Sequence, residues 1–297
     1  MKRILQWSVA ILMLLFSVLV AVYPILSNYY SNQDVDKEVV QYLDYVAQPP
    51  ANKYESVIKK AREYNKNLLQ NPVKKADPFT KKPEAPVDYY NQLKVDSTDV
   101  MATVKIPRIN VNLPIYHGTS DEVLKKGVGH LSASSLPVGG FGTHTALSAH
   151  TGSSSLKLFS DLDRLVINDI FYINCLGEEM AYQVNQIKTV LPTDTSLLEI
   201  DPDEDYVTLI TCTPFGVNTH RLLVRGTRVD LKEAKQITTN VETAKSTWTI
   251  EYFKAALLGV FVMFLILLVY IIVRFIVRLC KKNKCKSVKA EESKINE

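Results

Sequence analysis

Cysteine is scarce in this chain, with four in 297 residues, and that excludes a small disulfide-stapled scaffold, which packs many bridges into a short length. Glycine is limited to 11 positions, and none builds a phosphate-cradling loop or a dinucleotide fingerprint. Histidines, cysteines and acidic residues nowhere assemble at metal-ligand spacing, so no cofactor is expected. A basic stripe with interleaved aromatics is missing from the central region, which argues against a nucleic-acid partner. The net charge is +4, but basic residues gather at the two ends (Lys2, Arg3, Arg274, Arg278, Lys281, Lys282, Lys284, Lys286), leaving the interior acidic on balance.

Long apolar runs are present, and there are two. Trp7 to Leu26 and Ala255 to Val273 carry no formal charge, and each is long enough to cross a hydrocarbon core of roughly 30 Å. The first could also be a cleaved leader, but Ala21-Val22-Tyr23-Pro24 is a poor cleavage signal, so an anchor is expected. Basic residues bordering both runs belong on the cytoplasmic side. The expectation is a multi-pass protein of the cell membrane, both termini inside and residues from about 28 to 250 outside. Cys280 and Cys285 then lie in the basic tail, open to lipidation, and only Cys175 and Cys212 face outward. A disulfide between those two is the plain alternative to a free thiol. Cys175 sits in the apolar run Phe171–Leu176 and reads as a small buried hydrophobe.

The expected organisation is an anchor over 1–27, a helical region over 28–70, an irregular loop over 71–95, a β domain over 96–232, a stalk over 233–250, a second span over 251–279 and a basic tail over 280–297. Apolar residues at helical spacing mark 34–47 and 54–69, and Pro49-Pro50 separates them. From 71 to 88 prolines and lysines replace periodicity (Pro72, Pro78, Pro83, Pro86), and so long a structureless loop implies a purpose or disorder. Beyond Asp99 short strands follow one another at 100–106, 111–115, 145–148, 170–174, 182–187, 207–211 and 222–229, punctuated by turn residues. That texture is mainly β and suggests a closed or nearly closed barrel, with brief helical inserts at 121–126 and 156–162.

The chemistry gathers at strand ends. Thr208-Leu209-Ile210-Thr211-Cys212 closes a strand on a thiol, and after Pro214-Phe215-Gly216 a second strand carries Arg221. The spacing permits a hairpin that brings a guanidinium beside the thiol. An arginine stays charged and presents a rigid fork of donors, suited to a developing oxyanion. Arg225 and Arg228 compete for that role, but Arg221 is nearest the turn. Of five histidines, His117, His130 and His144 fall at turn signals and read as hydrogen-bonded loop residues. His220 should point away from Arg221, because successive strand side chains alternate. His150 ends a strand, as Cys212 does. Nucleophile, proton carrier and fixed cation are the parts of acyl transfer. No Asp or Asn stands at the spacing of a hydrolytic Cys-His-Asn triad.

Taken together, TLITC at 208–212, NTHRLLVRG at 218–226, LSAHTG at 147–152, YHGT at 116–119 and SLPVGG at 135–140 resemble the sortases, specifically the class C, pilus-assembling type. The resemblance implies a closed eight-stranded β-barrel with short helices, an N-terminal helical segment and a lid loop, flanked by transmembrane helices. It implies a cysteine transpeptidase with His150, Cys212 and Arg221 as catalytic residues. Asp77-Pro78-Phe79 is similar to the lid of that class, so Asp77 is expected to pair with Arg221 and Phe79 to lie against Cys212. The implied substrates are pilin subunits bearing LPxTG-like sorting signals, cleaved between Thr and Gly and joined to an acceptor lysine. A housekeeping role, attaching surface proteins to peptidoglycan, is the alternative. Thr151 stands where many relatives have arginine, and Ser153-Ser154-Ser155 departs from the family pattern.

Overall fold

A computed structural model describes residues 2–48, 50, 53–80, 85–94, 98–151, 156–239, 241–244, 246, 254 and 257–277. The chain divides into two compact units, Met1–Trp248 and Thr249–Glu297.

In the first unit, eight strands close into one barrel: β1 (Val100–Ile106), β2 (Val111–His117), β3 (Val128–His130), β4 (Thr143–Ser148), β5 (Ile170–Cys175), β6 (Glu178–Val190), β7 (Asp205–Thr213) and β8 (His220–Val229). Around the barrel they run β1-β2-β3-β4-β7-β8-β6-β5. Two pairs, β2·β3 and β4·β7, are parallel and the rest antiparallel. The sequence expectation missed β3, because the three residues Val128-Gly129-His130 are too few to show alternation. His117, His130 and His144 lie in strands rather than turns, a correction with a clear cause. His130 and His144 are fully buried yet hydrogen-bonded on both ring nitrogens, His130 to Tyr89 and the Ser135 carbonyl, His144 to the Glu199 carbonyl and Thr208. Paired in this way, a polar ring can occupy a strand interior. Burial pushes both down to about 4, so they are neutral.

The barrel interior follows the two-residue period of a strand. Val207 and Leu209 of β7 and Val224 of β8 join Leu147, Phe171, Ile173, Tyr182 and Val184 in the main core. Phe171 stacks on Tyr182, with ring centroids 5.6 Å apart. Gly226 of β8 makes that possible, since a Cβ there would meet the Phe171 ring at 2.6 Å. The alternate residues face outward, and two outer patches matter. Ile170, Tyr172 and Ala181 are covered by Ala234 of α4 (Leu231–Thr238). That helix lies where an irregular stalk was expected, and Asp230 caps its N-terminus through Lys232 and Glu233. The other patch is the site described below.

At the N-terminus, α1 is one helix, Lys2–Val46, rather than an anchor followed by a separate helix; no Gly or Pro interrupts 27–46. Its last turns bury Val35, Val39 and Tyr42. The Tyr42 hydroxyl donates to the Met101 carbonyl and accepts from the Leu176 amide, pinning the helix across β1 and the β5–β6 turn. Helix α2 (Glu55–Gln70) docks through buried Asn65, whose amide pairs with both backbone groups of Leu136. The segment 156–162, expected as helical, is turn structure followed by a single 3-10 turn at Leu162–Arg164. In the second unit, Leu257–Val277 is the one helix among the described residues that is long and apolar enough to cross a membrane. The apolar run 7–26 lies within α1, and the side chains of many of its residues are outside the described part. So are the basic tail with Cys280 and Cys285 and the stretch 152–155.

Candidate active site

Cys212 and Arg221 are direct cross-strand partners in the β7·β8 ladder. Parity sets their direction. Ile210 and Leu223, their same-face neighbours, point out of the barrel into a cluster with Leu131, Ala146 and Leu198. The thiol and the guanidinium therefore sit on the outer wall, at the end of an apolar groove. The third residue arrives by the parallel partner of β7. The β4·β7 pairing continues past Ser148 through the Ala149 amide to the Ile210 carbonyl, and the Thr211 hydroxyl donates to the Ala149 carbonyl at 2.8 Å. His150 follows at once, its carbonyl accepting from the Phe159 amide. Thr211 is a positioning residue that the sequence reading passed over; a threonine one place before a terminal cysteine, with a buried polar partner to find, was the available signal.

Arg225 and Arg228, the competing arginines, are engaged elsewhere. Arg225 donates to Asn185 and lies over the Tyr206 ring, and Arg228 faces Asp205 and Tyr182. Cys175 and Cys212 are both free, so no disulfide joins them. Cys175 is 1% exposed in the main core, and burial pushes its thiol well above the usual range.

The loop after α2 covers the site. Asp77 takes the guanidinium in a two-pronged ion pair, Arg221 Nε to Oδ1 at 2.7 Å and Nη2 to Oδ2 at 2.8 Å. Thr80 donates a further hydrogen bond to Asp77, while Arg221 Nη1 donates to the carbonyls of Asn218 and His220. Phe79 lies against the His150 ring, centroids 5.7 Å apart, and under the Arg221 guanidinium at 5.0 Å. It also packs on the outer apolar cluster. Two anchors hold the ends of this loop. Lys75, its side chain 1% exposed, reaches Glu199 Oε2 at 3.2 Å, and Tyr89 is fixed by His130 and the Gly118 amide.

Coverage changes the electrostatics. Cys212 is only 9% exposed. Desolvation raises its pKa, Arg221 pulls it down, and Asp77 opposes Arg221. His150 is lowered, chiefly by burial, with Asp121 of α3 (Asp121–Lys126) supporting its charge and Lys125 opposing it. Burial works against the charge of Asp77, but the hydrogen bonds from Arg221 and Thr80 outweigh it and hold the carboxyl below its usual value. Under the closed loop the thiol and the imidazole both favour their neutral forms, and the guanidinium is engaged by Asp77.

Residues 104–229 match the protein family described as the Sortase domain. Sortase C of Streptococcus pneumoniae is 43% identical, with a TM-score of 0.61 over 65% of this chain and 96% of its own. Sortase C1 of Streptococcus agalactiae is 46% identical, with a TM-score of 0.60 over 65% of this chain and 98% of its own. This chain belongs to the sortase family. A curated relative, Sortase A of Bacillus anthracis, is 30% identical over 48% of this chain. That alignment spans 65% of the relative, just under two thirds of its length. The matched sortase domain runs from β1 to the end of β8, and the solved structures that resemble it are mostly class C enzymes.

Proposed function

We propose that the protein is a pilus-assembling cysteine transpeptidase, with Cys212 as nucleophile, His150 as general acid and base, and Arg221 as oxyanion donor. The observation that carries this reading is the pairing of Cys212 with Arg221 under an Asp77 clamp, with His150 following Ala149, whose carbonyl accepts from Thr211 next to Cys212. Pilin substrates are the inference from the Streptococcus pneumoniae relative, whose structure bears on pilin substrate specificity.

Once Asp77 leaves, Arg221 is free to favour the thiolate, and the Cys212 proton passes to His150. The sulfur attacks the Thr carbonyl of an LPxTG-like signal, and Arg221 stabilises the oxyanion. Imidazolium His150 gives its proton to the departing glycine amine as the C–N bond breaks, leaving a thioester. A lysine amine of the next pilin then attacks, loses a proton to His150 and expels the sulfur, forming an isopeptide bond. Asp77 and Phe79 gate access. Peptidoglycan attachment is the second reading, kept by the match to a Sortase A; mass spectrometry of the product with each amine separates them. In membrane terms, α1 and Leu257–Val277 both anchor the chain with both ends cytoplasmic, which confines enzyme and substrates to one surface and raises their effective concentration.

Cys212→Ala removes the only sulfur at the site. Polymer formation and thioester capture of a sorting peptide should vanish while the circular-dichroism melt stays unchanged; normal ladders from this variant would refute the assignment.

A further inference from the structure

Two charged contacts, at opposite ends of the groove, hold the covering loop. At the reacting end Asp77 occupies Arg221. At the other end a lysine ammonium, Lys75, is almost wholly withdrawn from water against the carboxylate of Glu199, whose own side chain is 63% exposed. Between them Phe79 lies on Leu198, Ile210 and Leu223. Glu199 is itself held in place. Its carbonyl accepts from His144 Nδ1 at 2.8 Å, and the other nitrogen of that buried ring meets Thr208 Oγ1 at 2.7 Å. The carboxylate thus projects from a backbone fixed to β4 and β7, the two strands that also deliver His150 and Cys212.

An extended substrate can reach Cys212 only by taking the path the loop now fills. When the loop lifts, Lys75 goes with it and Glu199 loses its cation. On the proposed transpeptidase reading, we infer that Glu199 is a cation subsite at the far end of the groove, occupied by Lys75 in the resting enzyme and by a basic side chain of the sorting signal during reaction. The lid runs from Lys75 to Phe79 toward the reacting end, four positions in the direction a substrate must also run. A basic residue four positions before the threonine of an LPxTG-like signal, immediately preceding its leucine, fills the same place. The exchange replaces one ammonium by another, so lid release is easiest for a substrate that brings its own cation.

The test uses the full-length enzyme in detergent with peptides that differ only at the residue preceding the leucine, Lys, Gln or Glu. Because Glu199 is more than half exposed, the expected preference in kcat/KM is modest, about two- to fivefold for Lys over Glu. Glu199→Gln should flatten that order and Glu199→Lys should reverse it, with the Gln peptide changed least. An independent readout is alkylation of Cys212 without substrate, which Lys75→Met and Glu199→Gln should both accelerate. Equal kcat/KM for all three peptides, or a Lys preference that survives in Glu199→Gln, overturns the subsite while leaving the transpeptidase reading intact. No Cys212-dependent cleavage of any peptide overturns that reading and the subsite with it.

Discussion

On the proposed mechanism, Arg221 is the residue whose partners must change between the resting and reacting states. Asp77 takes Nε and Nη2 on one side and two backbone carbonyls take Nη1 on the other, so on the proposed mechanism an oxyanion competes with the carboxylate for the guanidinium. Lysine could keep the charge but not the two-pronged geometry. Arg221→Lys is therefore expected to lower kcat by about 10²–10³, the usual cost of losing an oxyanion donor. Single-turnover acylation with a sorting peptide checks this; a drop of less than threefold would show that charge alone suffices. Cys212 and Arg221 were legible as single residues because a strand-end thiol and a strand-start arginine flank a short turn. His150 stood out among five histidines by its place at a strand end, and the resemblance to the sortases added to that; His130 and His144 differ from it in lying fully buried within strands.

At the scale of elements, the lid is both a plug and a charge. Asp77 raises the Cys212 pKa while Arg221 lowers it, so removing the carboxylate should have two separable effects. Asp77→Ala should speed alkylation of Cys212 at every pH, and it should also shift the midpoint of the rate against pH downward, because the thiolate then has an unopposed guanidinium beside it. Phe79→Ala, which uncovers the His150 ring without changing charge, should speed labelling with a smaller shift of that midpoint. Identical pH profiles for the two variants would mean that the lid acts by sterics alone. The Asp77 clamp is fully present above the ordinary carboxylate pKa and is lost only as pH falls through its depressed value, so it holds at neutral pH. The lid's Asp-Pro-Phe was visible in sequence, but its second anchor was not. Lys75 is one of several lysines in a proline-rich loop, and nothing local distinguishes a buried lysine from a solvated one.

For the whole molecule, the proposed arrangement in the membrane gives its own prediction. A reporter enzyme active only in the cytoplasm, fused to either end of the chain, should work at both. Activity from the N-terminal fusion but not the C-terminal one would place the tail outside and would break the confinement argument. Among the described residues Leu257–Val277 is the one helix that meets the length and hydropathy required of a span.

Local chemistry in the sequence determined the strands of the barrel, because alternation and turn residues are written within a few positions of each other, and it determined the apolar ends for the same reason. The family motifs pointed to Cys212, His150 and Arg221, the residues proposed to react. Tertiary structure alone decided that β3 completes the barrel, that α4 covers its outer wall where a stalk was expected, and that Lys75 is withdrawn from water. Those outcomes depend on which distant segment arrives at a surface, as Lys75 does at Glu199 and Asp77 at Arg221. Pairings across more than a hundred positions leave no trace in local periodicity.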